Sequence, residues 1–209
     1  MPAATHSLLR AHLARAALAL PLLLLACKPA AANPAADTAR PEPAADVTAD
    51  TIAVRPRTVI VVRHAEKADD DPRDPSLSPT GEARARALAG LLGHSGVTHL
   101  FASEYRRTQS TLRPLATAAG REVVTVPAAD QAALVAAIQA LPAGCVAVVA
   151  GHSNTVPALV TALGGELQGT VASPAGPLLP DDAYDRLFML VIPARGEVQT
   201  LELRPGLAP

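Results

Sequence analysis

The sequence predicts a single α/β domain over residues 57–209, three layers deep, with a mostly parallel central sheet flanked by helices. Three observations predict it. The runs "TVIVV" (58–62) and "CVAVVA" (145–150) are continuously apolar, as strands covered on both faces are. Segments with helical apolar spacing alternate with such strands. The last two β-rich runs, 186–192 and 197–203, are joined by the short stretch "PARG" and read as a hairpin.

Each element has a local reason. Thr58–Val62 is the first strand. Ser78-Pro79 opens a helix, with serine as N-cap and proline in the first turn, and Ala85, Leu88, Leu91 and Leu92 fall on its apolar side. Thr98–Ala102 is a second strand. Arg107 to Ala119 reads as a helix that Pro114 is expected to kink. Val123–Val126 is a third strand and Asp130–Ala140 a helix with Leu134 and Ile138 on one face. After the strand 145–150, "GHSNTVPALVTALGG" reads as a loop and short helix closed by Gly164-Gly165.

The 209-residue chain is 49% apolar and 2% aromatic, with a net charge of −1. It has no basic stripe, so nothing in it predicts a nucleic-acid partner. Residues 1–27 carry Arg10 and Arg15 before the apolar run Ala16–Leu25, which is too short to span a bilayer and reads as a signal peptide. Its end, "LLAC" (24–27), resembles the lipobox of bacterial lipoproteins. That resemblance implies a lipid on Cys27, and Lys28 after it implies the periplasmic face of the outer membrane; a soluble periplasmic or secreted form is the alternative. Residues 28–56, rich in alanine and proline, read as a disordered tether. With Cys27 modified, Cys145 has no disulfide partner and is expected to be a buried, inert thiol.

The chemistry concentrates where strands end. "VIVVRH" and "VAVVAGH" each leave an apolar strand at its carboxyl end with a histidine, His64 and His152, and open α/β sheets bind ligands beyond those ends. The two imidazoles meet only if their strands are neighbours or nearly so. "VVRHAEK" (61–67), "FASEYRRTQST" (101–111) and "VVAGHSN" (148–154), with "LSPTGEARARALAGLL" (77–92), resemble in order the motifs of the histidine phosphatase superfamily, which includes phosphoglycerate mutases and acid phosphatases.

The resemblance implies a phosphoglycerate mutase-like fold and a small phosphorylated substrate. It makes His64 the nucleophile that becomes phosphorylated, with Arg63 beside it, Arg107 as the second arginine, four residues beyond Ser103, and His152 as the second histidine. Arg106 is left at the rim or in solvent. These roles make chemical sense. A neutral imidazole is a good nucleophile near pH 7, and guanidinium forks match phosphoryl oxygens without a metal or cofactor. His152, protonated or donating, would add a contact to the same oxygens. For the acid that protonates the leaving group, Glu66 is preferred over Asp130, which looks like a helix N-cap. The acids in "ADDDPRDP" (68–75) read as a solvated loop, and Asp185 as structural.

The expected function is therefore phosphomonoester hydrolysis through a phosphohistidine on His64. Alternatives are a phosphomutase and a weakly active or inactive envelope lipoprotein that binds a phosphorylated ligand. A metal hydrolase built on His64, Glu66 and His152 has poor ligand spacing. A serine hydrolase on "GHSNT" lacks the second glycine of the nucleophile elbow.

Overall fold

The computed structural model describes residues 55–206. The expectations for the leader 1–27, including Cys27, and for 28–54 of the tether lie outside the described residues. The chain is already fastened to the domain at Arg55, whose carbonyl accepts the Gly144 N–H at 3.2 Å.

Ten elements follow in chain order: β1 (Arg57–Arg63), α1 (Pro79–Leu92), β2 (His99–Ala102), α2 (Arg106–Ala119), β3 (Val123–Thr125), α3 (Gln131–Gln139), β4 (Val146–Gly151), α4 (Thr155–Ala162), β5 (Leu187–Ile192) and β6 (Gln199–Leu203). The strands form one sheet in the order β3-β2-β4-β1-β5-β6. The first four run parallel; β5 is antiparallel to β1, and β6 to β5, which makes the expected hairpin.

The continuous apolar run of β1 is explained by its central place. Val59 and Val61 join a core on one face with Ile138, Val156, Leu159 and Val160, while Ile60 and Val62 join a second core with Leu88, Leu92, Leu112 and Leu115. Alternate side chains of one strand thus hold the helix layers on both faces. Burying each Val or Ile contributes about 1.5–3 kcal/mol.

Helix α1 starts as the sequence indicates: Ser78 Oγ accepts the Gly81 N–H at 3.1 Å, and Pro79 is the first helical residue. Its buried stripe is Gly81, Ala85, Leu88 and Leu92. Leu91, expected on that stripe, is 48% exposed. It is offset from Leu92 by about 100°, and the sheet-facing stripe is too narrow to take both. Gly81 is required by contact: a Cβ there would lie 2.1 Å from the Glu66 carbonyl oxygen. Helix α2 continues through Pro114 and closes at Gly120, with φ +61°. Its N-cap residue, Tyr105, makes no side-chain cap; Asp74 Oδ1, from the loop after β1, accepts the Arg106 N–H at 2.9 Å instead.

Candidate active site

The pairing of β1 with β4 sets Arg63 opposite Gly151, and the His64 N–H donates to the Gly151 carbonyl at 2.8 Å. His64 and His152 therefore leave adjacent parallel strands at one register, which was the condition for them to meet. Their ring centroids are 5.3 Å apart in an edge-on arrangement. Arg63, His64, Arg107 and His152 line one cavity of about 840 Å³ at the carboxyl edge of the sheet. Arg107 enters it from the first turn of α2.

His64 is 5% exposed, and its Nδ1 lies 2.8 Å from the Ala65 carbonyl. A carbonyl only accepts, so Nδ1 carries the proton and Nε2 keeps its lone pair. Ala65 is itself held by its N–H to Thr111 Oγ1 at 2.9 Å. Burial brings the His64 pKa down to about 4. The Ala65 bond opposes that drop, and His152, Arg63 and Arg107 reinforce it. His152 is likewise brought to about 4 by burial, then by Arg107, with Glu104 opposing and Arg63 reinforcing. Both rings are neutral near pH 7.

The arginines are held differently. Arg63 Nη1 donates to the carbonyls of Pro180 (2.8 Å) and Asp181 (3.0 Å), and its guanidinium lies 4.2 Å from the centre of the Tyr184 ring. Arg107 lies 4.3 Å from the centre of the Tyr105 ring, with Nη1 3.6 Å from Asp74 Oδ1. Each tyrosine also faces a histidine: Tyr184 faces His64 at 6.1 Å and Tyr105 faces His152 at 5.2 Å. Among the described residues, Arg63 Nε and Arg107 Nη1 are buried donors without a hydrogen-bond partner. Such an atom costs about 1–3 kcal/mol, recoverable when an acceptor oxygen arrives.

The structure places Glu66, the acid preferred from sequence, away from the cavity. Its carboxylate is forked by Arg84, at 3.0 and 2.9 Å from Nε, and it does not line the cavity. Burial would raise the Glu66 pKa, but the Arg84 hydrogen bonds outweigh it and hold the carboxyl below its ordinary value. Asp130 also stays off the cavity and caps α3 by accepting the Ala133 N–H at 3.0 Å. Arg106 points outward, 52% exposed, and pairs with Asp70 at 3.1 Å. The acids of the 68–75 loop are more than solvated. Asp70 accepts from Ser76 and Arg106, Asp74 caps α2, and Asp69 and Asp71 line the cavity. Asp185 pairs with Arg204 at 3.8 Å. Cys145 is a buried free thiol whose pKa burial raises. Among the described residues no three His, Cys or carboxylate side chains are placed to share a metal ion.

Sequence reasoning missed both tyrosines, the carbonyls at 180–181 and the Ser103 hydroxyl, which lies 2.9 Å from His152 Nε2. One signal could have found the tyrosines. The chain has only two, so each is a conspicuous choice in a composition so poor in aromatics.

A mostly parallel sheet that presents two neutral imidazoles and two guanidinium groups at its carboxyl edge has the donors and charge that suit a tetrahedral oxyanion. Residues 59–133 match the model of the histidine phosphatase superfamily (branch 1). The chain is 36% identical over 75 residues to a probable phosphoglycerate mutase of Yersinia enterocolitica and, likewise, to one of an Enterobacter species. These matches take in 33% of this chain and 35% of the length of those relatives. Among solved structures, a protein histidine phosphatase complexed with tungstate superposes with TM-score 0.54 at 19% identity, covering 71% of this chain and 97% of that one. A mycobacterial glucosyl-3-phosphoglycerate phosphatase superposes with TM-score 0.53 at 15% identity, covering 71% and 98%. At these identities the likeness establishes the fold.

Proposed function

We propose that this protein hydrolyses phosphomonoesters through a phosphohistidine formed on His64. One observation carries the reading: His64 holds its proton on Nδ1 against the Ala65 carbonyl and offers the Nε2 lone pair in a cavity that Arg63 and Arg107 also line. The buried, unpartnered donors on those two arginines supply the complementary half, N–H groups suited to phosphoryl oxygens. In-line attack by Nε2 breaks the ester bond. Water then breaks the P–N bond and regenerates the imidazole, so one difficult step becomes two easier ones.

Glu66 and Asp130, the two acids proposed from sequence, lie outside the cavity, so the leaving-group proton needs a carrier other than these. The further proposal of location rests on the sequence of residues 1–56: a lipid on Cys27 and a tether that places the domain at the periplasmic face of the outer membrane. The function is tested with the full chain on a panel of phosphomonoesters, with His64→Ala as control. Turnover that disappears in the variant supports the reading. Turnover that survives in it, or none in the natural protein, overturns it. A size shift on inhibiting lipoprotein signal processing tests Cys27.

A further inference from the structure

The hydroxyl network behind His152 fixes where that ring carries its proton. Thr108 Oγ1 lies 2.7 Å from the Tyr105 carbonyl and 3.1 Å from the Ser103 carbonyl. Carbonyls only accept, so the short contacts to the Tyr105 carbonyl, Ser103 Oγ and His152 Nε2 are all filled only if Thr108 donates to Tyr105. The 2.8 Å contact between Thr108 Oγ1 and Ser103 Oγ must then be donated by Ser103. With its own proton committed, Ser103 Oγ can only accept at its 2.9 Å contact with His152 Nε2. Nε2 is therefore the protonated nitrogen of a neutral ring. Nδ1 has no hydrogen-bond partner among the described residues and, on a ring that lines the cavity, stays open to it. Thr108 is fully buried and Ser103 is 6% exposed, so water does not readily relax the relay.

In the free site His152 therefore offers the phosphate a lone pair, not the N–H expected from sequence. Glu66 and Asp130 lie off the cavity, and the cavity-lining Asp71 is engaged by the Arg73 and Asp74 N–H groups, whereas Nδ1 of His152 is an unpartnered base on a ring 5.3 Å from that of the nucleophile. We infer that Nδ1 of His152 is the proton carrier of the reaction and that the substrate reacts as a phosphomonoester monoanion. Ser103 and Thr108 act as positioning residues that keep Nδ1 free to receive the proton. The inference rests on the phosphatase reading above.

The proton balance closes in both halves. The monoanion enters with one acidic proton, which moves to His152 Nδ1. His64 Nε2 bonds to phosphorus as the P–O bond breaks, and the proton passes from Nδ1 to the leaving oxygen, which departs as an alcohol. Water then attacks phosphorus and its proton goes to Nδ1. The P–N bond breaks with its electron pair returning to Nε2, and the proton leaves on inorganic phosphate. The surroundings of His152 suit a ring that charges only when occupied. Burial, then Arg107 and Arg63, disfavour the proton, while Glu104 favours it and Tyr105 packs edge-on. The incoming phosphoryl charge offsets the two arginines.

The test compares p-nitrophenyl phosphate, whose leaving group needs little help from an acid, with a simple alkyl phosphate. His152→Ala and His152→Gln are assayed on both; the glutamine keeps a polar contact to Ser103 but cannot carry a proton. Both variants should lose about 100-fold or more beyond their aryl loss on the alkyl ester. Ser103→Ala should shift the same ratio in the same direction by a smaller factor, without abolishing aryl turnover. Equal losses on both esters in the two His152 variants would reduce His152 to an oxyanion contact and overturn the inference, while His64-dependent aryl turnover would leave the phosphatase reading standing. No aryl turnover in the natural protein would overturn both.

Discussion

Two arginines stand side by side in "EYRRTQ", and removing each in turn separates the roles the structure gives them. Arg107 lines the cavity, stacks on Tyr105 and holds Nη1 buried, 3.6 Å from Asp74 Oδ1 and without a hydrogen-bond partner. Arg106 is 52% exposed and paired with Asp70 on the surface. Arg107→Ala removes a permanent charge from the cavity, and on the proposed mechanism that is a loss of about 3–4 kcal/mol, or roughly 100- to 1,000-fold in rate. Arg106→Ala removes an exposed ion pair worth about 0–1 kcal/mol, and its backbone N–H still caps α2 through Asp74. The assay is kcat/KM on an aryl phosphate, with inhibition by inorganic phosphate as a second readout. Arg107→Ala should weaken phosphate inhibition as well as turnover, and Arg106→Ala should change each less than about fivefold. Comparable losses at the two positions would refute the register that puts Arg107 in the site.

Glu66→Gln should leave kcat/KM within about twofold for aryl and alkyl esters alike while lowering the melting temperature, because Glu66 serves Arg84 and not the substrate. A selective loss on the alkyl ester would restore it as the acid. Stability should fall with acidity in a defined window. The folded values of His64 and His152 lie near 4, below the ordinary 6.5, so between those values the unfolded chain binds protons that the folded one does not. The stabilisation is complete above pH 6.5 and lost as pH falls toward 4, by about 3 kcal/mol per histidine. Denaturant titrations at pH 7 and 4.5 check it, and replacing both histidines by alanine should flatten the slope. Gly81→Ala forces a methyl against the Glu66 carbonyl and should cost about 1–3 kcal/mol or more, a melting shift of several degrees.

Much of the fold was legible because its signals are local. Ser78-Pro79 marks the start of α1, Asp130 that of α3, and the β-branched run of β1 reports burial on both faces. The histidines were legible for the same reason, each following an apolar strand. What the sequence could not show was set by distant partners. The neighbour relation of β1 and β4 depends on long-range pairing. Glu66 is two residues from the nucleophile, yet Arg84, on the packed face of α1, draws it out of reach. Leu91 looked like a core residue by type, and only packing against the sheet decides that Leu92 takes that place. The Ser103–Thr108 relay lies inside a recognised motif, but the direction of its protons follows from carbonyls that only the folded backbone supplies.

The account stands on covalent chemistry at one nitrogen, and rapid quenching measures it directly. Mixing the protein with a phosphomonoester, quenching in alkali within the first turnovers and mapping the phosphorylated peptide should find an acid-labile, alkali-stable phosphoryl group on His64, absent from His64→Ala. A phosphoryl group on another residue, or full turnover without any phosphoenzyme, would contradict it.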